Sequence, residues 1–515
     1  MIRIFVFLTF LCCYSFGFSQ SLRDSVMLPI NDYMIGTSYN HVDQIKRAFH
    51  DSTLLFLDDR DGRPLIISAE KYSGFFGGRT AGEFNGRYAT LQRLDIYQNI
   101  AYAEIEIKSP QYNSRYIDLM LLKKMPDGWK IIGKTATGYT LPDVDDAPQK
   151  VDVMTGLHQP WSMAFIDEDR AIVSELSGDL LLVDIKVGSR EVISGFPEDL
   201  FEPFVLDVSR YPEGTYPAPA DGREVRFNAG ILEVVLDPDF EKNQKVYVSY
   251  VSQQEDQFAL KVISATLDDI RLTDIKTLLN PGPYVPGLFH FGGGMTFGRD
   301  GMLYITVGER LFAEGLKTGL PIAQDITDAR GKIYRIYPDG SIPEDNPDFG
   351  PEAIPGLYAI GIRAAQGITV HPEDGSIWFS EHGTTQGDEL NLLTPGANYG
   401  WPDRTTGGYR TPNYEAPVRE GVEYTDPVHF WLQTVAPTGL THYTGYARPE
   451  WYGDLIVPGL SRGSLWRLDM QDDRVRAVEE LFVDDRVRLR KAVMSPDGRL
   501  YLLTDEANGR IIRVD

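Results

Sequence analysis

Apolar and polar residues alternate most clearly from Ala101 to Lys108, where Ala101, Ala103, Ile105 and Ile107 interleave with Tyr102, Glu104, Glu106 and Lys108. A period of two marks a strand with one buried face. Upstream the period lengthens. Ile30, Tyr33 and Met34, then Val42, Ile45 and Phe49, recur at helical spacing and predict two short helices. Shorter apolar runs predict strands at Thr53 to Leu57, Leu65 to Ile67 and Ala89 to Leu94. Tyr116 to Met125 and Trp129 to Lys134 flank the turn Pro126-Asp127-Gly128 and predict a hairpin. Helices followed by an antiparallel sheet give a small α+β domain over residues 25–140. Pro142, Asp143, Asp145, Asp146 and Pro148 crowd residues 141–150, which read as a linker.

From Val151 onward the pattern becomes short apolar strands separated by Pro, Asp and Gly. Ala171 to Glu175 and Leu180 to Val183 begin it, around Gly178-Asp179. Asp237-Pro238-Asp239-Phe240 precedes Lys245 to Tyr250, and Arg299-Asp300-Gly301 precedes Leu303 to Gly308. His371 to Gly375 precedes Ile377 to Glu381, and Ser495 to Gly498 precedes Leu500 to Asp505. A turn and a strand repeated along a chain predict a β-propeller. Residues 151–515, at ~40 to 60 residues per repeat, give an all-β propeller of six blades. The polar ends of its inner strands are expected to gather at one mouth, bringing Glu175, His290, Glu309, Arg363, Glu381 and His382 together.

Composition narrows the partners. The formal net charge is -24, so nucleic acid, which needs a basic face, is excluded as a partner. The N-terminus has Arg3, an apolar run from Ile4 to Phe16, and then Gly17-Phe18-Ser19, which reads as a signal peptide over residues 1–19 cleaved before Gln20. A periplasmic or secreted protein without a membrane span follows. Both cysteines, Cys12 and Cys13, lie in the apolar run, so the mature chain offers no thiol chemistry. His290 stands before Gly292, Gly293 and Gly294. An imidazole suits proton transfer near neutral pH, and glycines admit the close approach of a backbone or a flat ligand.

Two resemblances extend this reading. Residues 25–140 resemble the nuclear-transport-factor-like superfamily, in its lumazine-binding-like branch, through Val42 to His50, Ile100 to Ala103 and Asp127 to Lys134. That resemblance implies a cone-shaped sheet and a homodimer formed through this domain. The remainder carries many motifs in order. They include Gly156 to Trp161, Gly230 to Phe240, His290 to Gly293, Gly331 to Arg335 and Asp339 to Pro347. Gly361 to Gly367, Glu381 to Gly383, Gly387 to Asn391, Asn398 to Pro402, Val435 to Gly439 and Ser495 to Asp505 follow. Together they resemble the PQQ-dependent soluble aldose and glucose dehydrogenases, the glucose/sorbosone dehydrogenase domain.

That resemblance implies PQQ and calcium as cofactors, an aldose as substrate and an external electron acceptor. It makes His290 the base that takes the anomeric proton. It makes Arg363, Arg488 and Arg490 cofactor contacts, in keeping with arginine's fixed fork for carboxylates. The carbonyls of Gly383 and Thr384 become calcium ligands beside PQQ, and Glu389 with the Tyr399 carbonyl a second calcium site. Trp431 and Thr434 line the pocket. The chain also departs from the family. Ala364-Ala365 replaces a frequent Asn-Pro, Ser461 replaces a lysine with Arg462 beside it, Asn228 stands at a sugar-side glutamine, and Gly294 at an arginine. Two other readings stay open. One is a non-catalytic, calcium-stabilised propeller that binds a sugar or a protein. The other is a calcium-dependent lactonase-like hydrolase, against which the arginine trio speaks.

Overall fold

The computed structural model describes residues 17–59, 62–109, 114–140, 148–202, 228–310, 320–384, 386–409, 416, 419–445, 447–471, 473–483 and 485–515. The expected signal peptide up to Phe16, with Cys12 and Cys13, and the linker positions 141–147 lie outside them. The chain divides into two compact units, Met1–Ala147 and Pro148–Asp515. No helix among the described residues is long and apolar enough to cross a membrane.

In the first unit, helices Gly17–Ser38, Val42–Ala48 and Ala69–Gly74 accompany a six-stranded sheet. Its strand order is Pro64–Ser68, Leu54–Asp58, Gly128–Thr140, Ser114–Met125, Ile100–Ser109, Tyr88–Tyr97. One pairing, between Leu54–Asp58 and Gly128–Thr140, is parallel; the others are antiparallel. Ala101, Ala103, Ile105 and Ile107 are buried, as their alternation requires. Glu106, on the polar side of that alternation, is buried as well, because Arg115 and Gln92 cover its carboxylate. The short helix Ala69–Gly74 was not visible in the apolar pattern; Ser68 caps it by accepting the Lys71 N–H at 3.2 Å.

Among its described residues the second unit holds six four-stranded antiparallel sheets. In chain order their first strands are Pro160–Phe165, Ile231–Leu236, Gly292–Phe297, Ala365–Val370, Thr441–His442 and Leu489–Met494. These strands pack side by side in sequence, and the last returns to the first, closing a β-propeller ring. The sixth sheet takes its outer strand, Lys150–Leu157, from the start of the unit, so the two ends of the propeller are hydrogen-bonded to each other. Closure of this kind leaves no open edge at the seam. Apolar clusters fill the space between neighbouring sheets: Ile172 and Leu180 meet Ile231 and Val246, and Tyr304 and Ile333 meet Ile368 and Phe379.

One device recurs between the sheets. The first strands shift register at Pro160/Ser162, Ile231/Val234 and Gly292/Met295, which takes backbone groups out of the ladder. A hydroxyl on the second strand takes up the N–H set aside: Ser174 from Ser162, Ser249 from Glu233 and Thr306 from Gly294, each at 3.0 Å. The same hydroxyls donate to the first strand of the next sheet, at Leu232 O (2.5 Å), Gly293 O (2.6 Å) and Ala365 O (2.9 Å). Ser380 donates to Thr438 O, just before the first strand of the next sheet, at 3.0 Å. All four hydroxyl residues are fully buried.

Candidate active site

The three glycines after His290 admit close neighbours, backbone at Gly292 and Gly294 and side chains at Gly293. A Cβ on Gly292 would lie 2.8 Å from Gly308 N and from Thr306 O, one on Gly293 2.7 Å from Leu232 Cδ1, and one on Gly294 2.5 Å from Gln366 O. Gly292 and Gly293 also have φ of +76° and +91°. Of the two uses anticipated for these glycines, the structure shows the close approach of neighbouring strands. His290 itself adopts φ 53°, and a Cβ on Gly308 would sit 2.0 Å from its carbonyl.

That backbone presents the imidazole to a buried acid. His290 Nδ1 lies 2.9 Å from Glu309 Oε1, with His290 11 % and Glu309 1 % exposed. The Glu309 N–H donates to the Arg363 carbonyl at 2.9 Å, tying this sheet to the next. The Arg363 N–H donates to Glu381 Oε2 at 2.9 Å. The buried Arg363 guanidinium donates to the carbonyls of His382 (3.0 Å) and Gly383, and lies 5.1 Å from the Trp401 ring. Burial, followed by the charges of His290, Arg363 and Arg490, holds His382 well below the usual histidine range. His290, Glu309, Arg363, Glu381 and His382 therefore converge, and Arg490 joins them; Glu175, expected with them, accepts the His158 N–H in the first sheet.

Arg490 is 2 % exposed. Its guanidinium lies 4.0 Å from the Trp161 ring and donates to Gln366 Oε1 (2.8 Å) and Asp505 Oδ1 (2.9 Å). Its Nε is buried and makes no hydrogen bond among the described residues. Arg488 donates to the other oxygen of the same carboxylate, Asp505 Oδ2, at 2.7 Å and 2.6 Å. Burial alone would raise the Asp505 carboxyl, but Arg490 and then Arg488 hold it well below the ordinary carboxylate range. Asp505 and Gln366 lie within the motifs Ser495 to Asp505 and Gly361 to Gly367, which alone assign them no role; an acid closing a second strand, as in Glu175 and Glu381, is the available signal.

The residues expected to bind calcium lie next to this cluster. Asp388 accepts the N–H groups of Gly383 (2.8 Å), Val435 (2.6 Å) and Ala436 (2.7 Å). Glu389 stands opposite Glu381 in the ladder and accepts from Thr406 Oγ1 at 2.9 Å. Burial pushes both carboxyls up, and Glu389 pushes Glu381 further. The Gly383 carbonyl is engaged by Arg363, Thr384 donates its hydroxyl to the Gly408 carbonyl, and Tyr399 is buried. Among the described residues no three His, Cys, Asp or Glu side chains form a group able to hold a metal.

Four expected residues lie on other segments. Asn228 precedes the second sheet, and its N–H donates to the Leu288 carbonyl at 3.2 Å. Trp431 is buried on the fourth strand of its sheet, edge-on to His429 and Trp466, while Thr434 is exposed. Arg462 donates to Glu480 Oε1 at 3.0 Å, toward the outer strand of its own sheet.

Fold and site together define a β-propeller whose mouth carries a histidine–glutamate pair beside three arginines. Residues 157–513 match the glucose/sorbosone dehydrogenase family model, and the chain belongs to that family. Residues 21–136 match a lumazine-binding family model, so a nuclear-transport-factor-like domain precedes it. The aldose sugar dehydrogenase YliI of Escherichia coli is 30 % identical over 382 residues, 72 % of this chain and 94 % of that protein. Quinoprotein glucose dehydrogenase B of Acinetobacter calcoaceticus is 26 % identical over 431 residues, 69 % of this chain and 85 % of that protein. A solved glucose dehydrogenase superposes with a TM-score of 0.62 at 32 % identity, covering 72 % of this chain and 99 % of that one.

Proposed function

We propose that this chain is a periplasmic or secreted quinoprotein that oxidises the anomeric hydroxyl of an aldose to the lactone, using PQQ and calcium and passing electrons to an external acceptor. The observation that carries the reading is His290 held against buried Glu309 beside Arg363, Arg488 and Arg490. We read the six sheets as six blades around this mouth.

The donor set fits a polyanionic quinone. Three arginines converge, and Arg490 keeps a buried Nε donor that no protein acceptor meets among the described residues. Arg363, Arg488 and Arg490 would hold its carboxylates and quinone oxygens, with Trp431, Thr434 and Arg462 at the edge of the cradle. When bound, PQQ supplies the acceptor for the hydride that leaves the sugar's C1. Calcium would sit against the Gly383 and Thr384 carbonyls, with a second ion at Glu389 and the Tyr399 carbonyl. The raised, facing carboxyls of Glu381 and Glu389 are the kind of pair that a hard cation relieves.

The protein's own part is proton transfer. Glu309 accepts from Nδ1–H of His290, which makes Nε2 the basic nitrogen and orients the ring. Nε2 takes the proton of the anomeric hydroxyl. The imidazolium so formed is stabilised by the Glu309 carboxylate. His382, held neutral, adds no competing charge beside it. Asn228 stands on the sugar side. Phe56, Ile66 and Leu121, exposed on the N-terminal sheet, give that unit an apolar surface for a second copy.

One observation favours a second reading. The Gly383 carbonyl, expected to meet the calcium beside PQQ, accepts from Arg363, as it could in a calcium-stabilised propeller that binds a sugar or protein without catalysis. Dye reduction by the mature chain, with PQQ and calcium added and a panel of aldoses, separates the two. Turnover that needs both cofactors supports the enzyme; binding of sugar with no dye reduction under any condition supports the second reading.

A further inference from the structure

Four of the sheets close their second strand with a buried acid: Glu175, Glu309, Glu381 and Asp505. Each grips a residue that lies one or two positions before the first strand of its own sheet. The His158 N–H donates to Glu175 Oε1 at 2.6 Å, and His290 Nδ1 meets Glu309 at 2.9 Å. The Arg363 N–H donates to Glu381 at 2.9 Å, and Arg488 Nε to Asp505 at 2.7 Å. The gripped residue and its acid are separated by 17 to 19 positions in every case. The first strands run side by side around the ring, so the four gripped residues fall on one rim. Three of them are the base and two arginines of the site. The fourth is His158, which is exposed.

Its place on the rim is informative. The first sheet lies between the sixth and the second. Arg490 of the sixth stacks on Trp161 at 4.0 Å, and a Cβ on Gly230 of the second would lie 2.2 Å from the Leu176 carbonyl. His158 therefore falls on the rim between the arginine pair and Asn228. Glu175 takes its backbone N–H, not its ring, and the residue is exposed. A neutral imidazole offers one donor and one acceptor, the pattern that a sugar hydroxyl presents in return.

Resting on the aldose dehydrogenase reading, we propose that His158 is a specificity-determining residue that hydrogen-bonds an aldose hydroxyl other than the anomeric one, its backbone fixed by Glu175. The test uses the full mature chain with PQQ and calcium. His158→Ala should raise KM for the best aldose about tenfold, with kcat within about twofold and the PQQ titration unchanged. His158→Gln, which keeps a donor and an acceptor, should recover part of the loss. Independently, the Cε1–Hε1 NMR signal that disappears in His158→Ala should move in the parent on adding that aldose. An unchanged KM with an unmoved signal overturns the proposal. If the parent turns over no aldose, the enzyme reading falls by itself. The NMR titration with glucose then decides His158 alone: a saturable shift upholds the sugar contact and a static signal overturns it.

Discussion

Each unit of the chain buries an aspartate in an ion pair, and the two are built differently. In the N-terminal unit Asp118 accepts from Tyr33 Oη at 2.5 Å and pairs with Lys134 at 2.8 Å, with side-chain exposures of 3 % and 2 %. Tyr72 extends the cluster through a 2.9 Å contact with Tyr33, and the Lys134 ammonium lies 5.7 Å and 5.4 Å from the two rings. Tyr33 and Lys134, which meet this charge directly, are themselves buried. In the propeller Asp505 splits its oxygens between Arg490, buried, and Arg488, whose side chain is 43 % exposed. A buried charge becomes useful to a ligand when one of its partners reaches the surface where the ligand sits. Asp118 is closed on itself; Asp505 is open on one side.

The largest effect should come at the base. His290→Ala removes the proton acceptor and should lower sugar-dependent dye reduction by about 10²- to 10⁴-fold. Its PQQ affinity should stay at the parental value, as the arginines are untouched. Parental turnover in this variant would remove His290 from the mechanism.

Next comes the closed cluster. Lys134→Met leaves Asp118 buried without its cation, which costs about 3–5 kcal/mol. Denaturant unfolding of the full chain should show this as an early transition, while PQQ titration of the folded variant is unchanged. A change in cofactor affinity instead would break the contrast between a closed and an open aspartate.

Asp505→Asn tests the open one. The arginine pair loses its shared anchor, and PQQ affinity should fall about tenfold, about 1.4 kcal/mol. The pH dependence has a defined sign. The folded Asp505 carboxyl is depressed, so its contribution is complete above the ordinary carboxyl range near pH ~4 and is lost as pH falls toward the folded value. The stability difference between pH 5 and pH 3 should therefore shrink by about 1 kcal/mol in the variant. An identical acid profile would mean that Asp505 is not held as described.

Much of this was legible in the chain, for identifiable reasons. Turn tripeptides and apolar runs are local, so Arg299-Asp300-Gly301 and Ser495 to Gly498 announced their hairpins, and the sheets follow. The convergence of His290, Glu309, Arg363 and His382 could be anticipated because inner strands in a closed ring share a polar end. What escaped depends on partners far away in sequence. The pairing of Lys150–Leu157 with Gly509–Val514 joins the two ends of the unit, and nothing near Lys150 encodes it. Asp505 reads as one acid among many until Arg488 and Arg490 fold against it. The glycines after His290 read equally well as ligand space, and only neighbouring strands decide otherwise. Ser174, Ser249 and Thr306 look like ordinary polar residues in apolar strands, since their partners belong to the next sheet.

Those hydroxyls give the smallest effect and the finest test of how the ring supports the mouth. Ser249→Ala takes away the acceptor of the Glu233 N–H and the donor to the Gly293 carbonyl, both buried. Removing a buried partner exposes neither group to water, so the cost is about 1 kcal/mol or slightly more, not the near-zero of a surface hydroxyl. Gly293 lies three residues after His290, and its sheet carries the base, so a small shift there should reach the imidazole. Ser380→Ala loosens the seam after next, between the Ile377–Glu381 strand and Thr438. If the seams position the mouth, Ser249→Ala should lower kcat about twofold while leaving PQQ affinity alone, and Ser380→Ala should do the opposite. Equal losses of stability with no split between kcat and cofactor affinity would mean that the hydroxyls hold the ring together without tuning the site.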